Sequence, residues 1–301
     1  MERRPGELIT YYDGATGERV GLTAPELGRW SAATAALLTG ECGLRPGSRA
    51  GVLLPPHWQT AVVLLGAWAA GLEVSFRGWS TAGLSDTGLS DTGLSDTGLS
   101  DTGLSDTGLS DTGLSDTGLS DTGRADDEQP EGRSIDDGLT GGGSADGRQP
   151  EDRPAGGGPV LEVTFVEARR VGSWLDDVPR ARHQFVLGAA AHGVPDDYRD
   201  FLPAARAHLG AGAPVERVAD EAAAVPDGTT FGEYGAVAAA VAQSRGIARG
   251  DRVLIETDAS EEPLIWLLAP LTAGASIVLG ANLDRSQREE LMIVEGVTRL
   301  F

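Results

Sequence analysis

From Gly83 to Thr122 the pentapeptide Gly-Leu-Ser-Asp-Thr runs eight times without a substitution, and this tract fixes where a core cannot be built. Each unit sets one apolar side chain against one carboxylate and one glycine, too little apolar surface to offset the entropy of ordering the chain. The same poverty continues through 123–158, an acidic Gly/Pro-rich stretch that includes Gly141-Gly142-Gly143-Ser144 and Gly156-Gly157-Gly158. No aromatic residue occurs between Trp79 and Phe165. Both stretches read as a disordered insert. It holds 17 acidic and 4 basic side chains, so −13 of the net charge of −21 resides there. The 225 residues outside it carry −8 and are long enough to bury a sizeable core. Any fold must come from 1–82 and 159–301.

Identity at every position is the mark of recent tandem duplication, because packing leaves the exposed positions of a structural repeat free to vary. A leucine every five residues also resembles the pentapeptide-repeat proteins, which wind a square right-handed β-helix. Glycine stands here before the leucine where those proteins favour Asp or Asn, and eight units would make two coils without caps. Aspartate at intervals of five is too sparse for a calcium loop.

All 24 basic residues are arginine; the chain has no lysine. That excludes a Walker-type phosphate loop and Schiff-base chemistry. The acidic surplus argues against nucleic acid and against an anionic membrane surface as partners. A single cysteine, Cys42, excludes an internal disulfide and, with no secretory signal after Met1, points to a cytoplasmic protein.

The first flank predicts a β-α-β-α-β order. Leu8–Tyr12 and Arg19–Leu22 form a hairpin around Asp13-Gly14. Thr23 and Glu26 have capping-box spacing ahead of a helix to Leu38, stopped by Gly43. Ala50–Leu54 is a buried strand, His57–Ala70 a helix, and Leu72–Phe76 a strand. The second flank repeats the order. Thr230 and Glu233 cap a helix that ends at Gly246, and Val253–Ile255 is a strand. Ser260 with Glu261 and Glu262 opens the next helix, Gly274 closes it, and Ser276–Leu279 is the last strand. At an offset of 203, Gly43, Gly47, Arg49, Leu64, Leu65, Ala70 and Gly71 match Gly246, Gly250, Arg252, Leu267, Leu268, Ala273 and Gly274. The caps lie at an offset of 207, which makes the first copy's helix about one turn longer. The expected fold is therefore α/β, two related halves with mostly parallel sheet. Between the halves, Gln184–Leu187 reads as a strand and Asp196–Leu209 as a helix.

Other candidate sites have plainer explanations. Gly78-Trp79-Ser80-Thr81-Ala82-Gly83 is one residue off a hydrolase elbow and has no acid and base to pair with it. His192, Asp196, Asp197 and Asp200 could be drawn as a metal cluster, but acids after Pro195 suit the start of a helix. Gly210-Ala211-Gly212 follows a helix instead of a strand and fails the dinucleotide test. Cys42 reads as a small buried thiol, His57 as start-of-helix packing matched by Ser260, and Trp58 and Trp68 as core or interface. The uncharged stretch Pro263–Asn282 is broken by Pro270 and Gly274 and reads as buried core, not a membrane span. No catalytic, cofactor or metal residue is assigned.

Residues 22–76 resemble the opening of the adenylate-forming superfamily: acyl-CoA synthetases, luciferases and peptide-synthetase adenylation domains. The resemblance rests on Leu22-Thr23, Glu26-Leu27, Leu44-Arg45-Pro46-Gly47-Ser48-Arg49 and Leu64–Val74 with Ala70-Gly71. Residues 229–280 resemble the region after that family's phosphate loop, through Gly250-Asp251-Arg252-Val253-Leu254 and Ala269-Pro270-Leu271-Thr272-Ala273-Gly274. The nearest likeness is a group of short actinobacterial proteins similar to AMP-binding enzymes. The family holds ATP with Ser-Gly-Thr-Thr-Gly-x-Pro-Lys-Gly. Here that place reads Asp220-Glu221-Ala222-Ala223-Ala224-Val225-Pro226-Asp227-Gly228, acidic and apolar where phosphate needs donors and positive charge. Phe301 precedes the family's adenine, ribose and lysine elements. The resemblance implies the fold of the N-terminal region and does not imply the activity; no cofactor is expected, and the expected role is non-catalytic, binding a partner or a small acyl or nucleotide ligand. Two alternatives stand beside it: a split adenylating enzyme completed by another chain, and an acidic interaction module that uses the insert.

Overall fold

The computed structural model describes residues 6–76, 160–173, 178–188, 192–210 and 217–301. These residues belong to one compact unit. The readings of 83–122 and 123–158, the Gly78–Gly83 elbow, and Ala211-Gly212 lie outside the described residues.

Two five-stranded sheets form the frame. One has the order β10-β8-β9-β1-β2 and contains β1 (Glu7–Asp13), β2 (Arg19–Thr23), β8 (Arg252–Glu256), β9 (Ser276–Ala281) and β10 (Arg299–Leu300). The other has the order β4-β3-β5-β6-β7 and contains β3 (Arg49–Leu53), β4 (Glu73–Phe76), β5 (Val163–Glu167), β6 (His183–Leu187) and β7 (Arg199–Asp200). Among the described strands every pairing is parallel except the β1–β2 hairpin. Parallel strands covered by helices become continuous apolar runs, as Ile277, Val278 and Leu279 show, all fully buried.

The helices begin where the caps dictate. Thr23 Oγ1 accepts from the Glu26 amide and Glu26 Oε2 accepts from the Thr23 amide (2.8 Å), opening α1 (Ala24–Ala36). A π-turn, Leu37–Glu41, prolongs it. Thr230 and Glu233 repeat the device at the head of α4 (Phe231–Ser244). The π-turn supplies the extra turn that the two offsets demanded. Matched glycines also share their backbone: Gly71 and Gly274 have φ of 75° and 76°, and Gly47 and Gly250 have 83° and 86°. These left-handed values favour glycine, and the Gly47 and Gly250 amides donate to the Gly71 and Gly274 carbonyls at 2.8 and 3.1 Å.

α1 packs on α2 (Trp58–Ala69) across Gly66, where a Cβ would lie 2.5 Å from Thr34 Cβ and 2.9 Å from the Ser31 carbonyl oxygen. Trp58 and Trp68 are buried; Trp58 meets Trp30 edge-on at 6.4 Å and Trp68 meets Tyr234 at 5.7 Å. One continuous apolar cluster joins both sheets through these helices. A smaller one sits on the opposite face of the first sheet, where Leu291 of α6 (Arg285–Glu295) covers Leu254 and Val278.

Three expectations need correction. The helix expected over Asp196–Leu209 is α3 (Phe201–Arg206), because Arg199 and Asp200 pair instead with β6. Asp200 is its cap, its Oδ1 accepting from the Leu202 amide at 3.2 Å, while Asp197 adopts a left-handed φ of 67°. Ser260 does not open the next helix; Pro263 caps a π-turn, Leu264–Leu268, that leads into α5 (Ala269–Ala273). Ser276–Leu279 is not the last strand, since α6 and β10 follow, and β5 was not anticipated at all. The uncharged Pro263–Asn282 stretch resolves into this turn, helix and strand, and among the described residues no helix is long and apolar enough to cross a membrane.

Candidate functional site

Strands from both sheets end on one cleft of about 410 Å³. In open α/β sheets ligands bind outside the carboxyl ends of strands, so this position is the one the topology favours. The strand ends themselves supply the chemistry. Asp13 ends β1, Glu167 ends β5 and Glu256 ends β8. With Asp258 and Glu261 they place, among the described residues, five carboxylates in the lining against one guanidinium, that of Arg169.

Each acid has its own setting. Burial works against ionisation of Asp13, but hydrogen bonds from Asn282 Nδ2 (3.0 Å) and the Ala15 amide (2.9 Å) outweigh it and hold the carboxyl below its ordinary value. Burial pushes Glu167 the other way, upward, although its Oε1 pairs with Arg169 Nε at 2.7 Å. Its Oε2 is buried and, among the described residues, has no hydrogen-bond partner. Glu256 is bridged to Arg288 at 2.6 Å.

Among the described residues six uncharged polar side chains share the lining: Tyr11, His57, Gln59, Thr60, Thr257 and Asn282. His57 caps α2, its Nδ1 accepting from the Gln59 amide at 3.2 Å, and its ring meets Tyr11 edge-on at 4.2 Å. Burial pushes the imidazole down to about 3, so it is neutral at physiological pH. Burial raises the Tyr11 phenol, and Asp13, Glu18 and Glu167 raise it further, so it stays a proton donor.

The residues singled out from sequence lie mostly elsewhere. His57 enters the cleft and also caps its helix; its repeat partner Ser260 caps nothing. Cys42 is buried, its thiol pushed up to about 11 by burial. Asp200 is occupied as a cap, and among the described residues no three His, Cys, Asp or Glu side chains converge as a metal site. Tyr11, Asp13, Gln59, Glu167 and Glu256 were missed. A legible signal existed for three of them: an acid directly after an apolar strand run, in Tyr-Tyr-Asp13, Phe-Val-Glu167 and Leu-Ile-Glu256.

The segment in the place of the family's phosphate loop is folded on itself. The amides of Ala222, Ala224 and Gly228 donate to the carbonyls of Ala219, Thr229 and Val225, and the Thr229 amide donates to Asp227 Oδ1. The Ala224 carbonyl accepts from both the Val74 amide and Trp68 Nε1, tying the segment to β4 and α2.

No family model matches the sequence. Over 68 residues the chain is 53% identical to a Mycobacterium tuberculosis protein described as a TIGR03089 family protein, a match covering 23% of this chain and 28% of that one. Solved structures match far more broadly. VinN in complex with L-aspartate aligns over 98% of this chain with a TM-score of 0.52 and 17% identity. Mycobacterium smegmatis MbtA aligns over 96% with 0.53 and 20%, and acetoacetyl-CoA synthetase from Streptomyces lividans over 98% with 0.57 and 16%. This chain spans 62%, 44% and 39% of those three chains respectively. The described chain thus has the fold of the N-terminal region of adenylate-forming enzymes, the superfamily whose motifs its sequence resembles.

Proposed function

We propose that this chain binds a small ligand in the cleft at the strand ends and does not itself form adenylates. The observation that carries the proposal is the segment 220–229. A triphosphate needs free backbone amides and positive charge, whereas here four amides are engaged within the protein and the neighbouring charges are Asp220, Glu221 and Asp227. The cleft adds a second support, because repulsion from its carboxylates opposes an anionic nucleotide. What remains is a concave, polar-lined site in the size range of small-molecule pockets, about 300–1,000 Å³. ATP–pyrophosphate exchange by the purified chain, with a mixed panel of acyl and amino acids, tests the reading. Exchange is expected at the level of the protein-free control. Turnover above that control overturns the non-catalytic reading. Exchange that emerges only when a second polypeptide is added supports the split enzyme.

A further inference from the structure

The cleft has a narrower chemistry than "small ligand", and we infer that it takes a small organic cation, a primary ammonium compound whose other end offers a neutral oxygen acceptor and carries no carboxylate. This inference rests on the ligand-binding reading above and specifies it.

Unspent polar groups inside the cleft point to it. Tyr11 and Gln59 are each only 8% exposed, yet both line the cleft. Among the described residues neither the Tyr11 hydroxyl nor the Gln59 carboxamide meets a hydrogen-bond partner. Both groups therefore stand open to a molecule in the cleft. Glu167 Oε2 is buried outright and, among the described residues, is an acceptor without a donor; buried polar groups are nearly always paired, and an unpaired one costs free energy that a bound molecule can return.

These groups divide into two kinds. With Nδ1 committed to the Gln59 amide, the neutral His57 ring carries its proton on Nε2. Tyr11, Gln59 and His57 therefore offer neutral donors, suited to a carbonyl or hydroxyl oxygen. Glu167 Oε2 offers a charged acceptor, and Asp13 adds its charge in the same lining, whereas Glu256 is answered by Arg288. A carboxylate or phosphate would face five negative groups against Arg169, itself already paired. A neutral molecule would leave the acidic surplus of the lining unanswered, and Glu167, whose Oε1 is held by Arg169, has its Oε2 still without a donor. An ammonium group answers both. A molecule without a carboxylate also has nothing to adenylate, so the site would serve binding alone.

Calorimetric titration of the full chain tests this with alaninamide and ethanolamine as probes, against N-acetylalaninamide, acetate, AMP and acetyl-CoA. The two amines are expected to bind saturably and the other four are not. Glu167→Gln should weaken amine binding at least about tenfold, the scale of one charge-assisted hydrogen bond. Gln59→Met, which keeps the volume but removes the carboxamide, should weaken alaninamide binding several-fold, and it serves alone if the Glu167 variant does not fold. Binding of N-acetylalaninamide as tight as that of alaninamide overturns the inference, and so does unchanged affinity in a folded variant. If AMP or acetyl-CoA binds and the amines do not, the cation is wrong while a ligand site stands. If no probe binds, both readings fall.

Discussion

Glu295 is fully buried, and its two oxygens hold two different arginines. Oε1 accepts from Arg19 Nε (3.0 Å) and Nη2 (2.9 Å), and Oε2 accepts from Arg252 Nη2 at 2.5 Å. Arg19 reaches on to Glu7 at 2.6 Å, and Arg252 donates to Thr10 Oγ1 and the Glu7 carbonyl. Two acids and two bases thus close a neutral cluster that pins β1, β2, β8 and α6 together. Gly21 makes room for it, since a Cβ there would fall among the Glu7 carboxylate atoms. Glu295→Leu leaves Arg252 buried with its charge unanswered, and should cost about 3–5 kcal/mol in urea unfolding. A loss below about 1 kcal/mol, the scale of an exposed pair, would show that the cluster does not act as one unit. Sequence showed Arg252 as part of a family motif and as the repeat partner of Arg49, which is half-exposed and pairs with Glu73 at 3.0 Å. The two positions match and their roles differ. The partners of Arg252 lie 43 and 242–245 residues away, and no local pattern records such distances.

Elements whose ends are set by their own residues were legible; those set by distant partners were not. α1 and α4 start at capping boxes, and the strands of the two matched segments emerge from apolar runs bounded by glycine. The helix at α3 was drawn too long because its first residues are claimed by β6, a tertiary pairing invisible to propensity. β5 lies just past the Gly-rich tract and outside both matched segments, so no pattern marked it, and with it went Glu167, the most informative residue of the cleft. Packing between elements is equally beyond the periodic pattern. Gly66 reads as an ordinary helical glycine, yet it lets α1 and α2 approach. Gly66→Ala should therefore destabilise by about 1–3 kcal/mol through overpacking, despite alanine's better helix propensity. A gain in melting temperature would mean that the two helices separate without penalty.

At the scale of the molecule, the two sheets place their connections alike. β4 and β5 flank β3 as β9 and β10 flank β8. In the second case the crossover is α6, covering Leu254 and Val278; the matched positions in the first are Gly51 and Ser75, which offer no comparable apolar pair. The pentapeptide tract lies in that first crossover. If the insert is passenger sequence, as recent tandem duplication suggests, joining Ala82 directly to Pro159 leaves the melting temperature within a few degrees. The ten residues left between Phe76 and Val163 can span about 33 Å. Phe76 is level with Val52 and Val163 with Ala50, so the gap they must cross is roughly 10 Å sideways and about 7 Å along the strands. Collapse of the fold, or loss of a partner that the full chain captures, would instead give the tract a role.

Sheet membership also ignores the division of the sequence. Residues 1–82 contribute β1 and β2 to one sheet and β3 and β4 to the other, and 159–301 contribute the remainder of both. The pieces meet along two parallel seams, β1 against β9 and β3 against β5. A protease nick anywhere in 83–158 would accordingly cut the polypeptide without releasing either piece. Two separately translated fragments would have complementary unfinished sheets, the arrangement required of a split reporter that reports only when its halves meet.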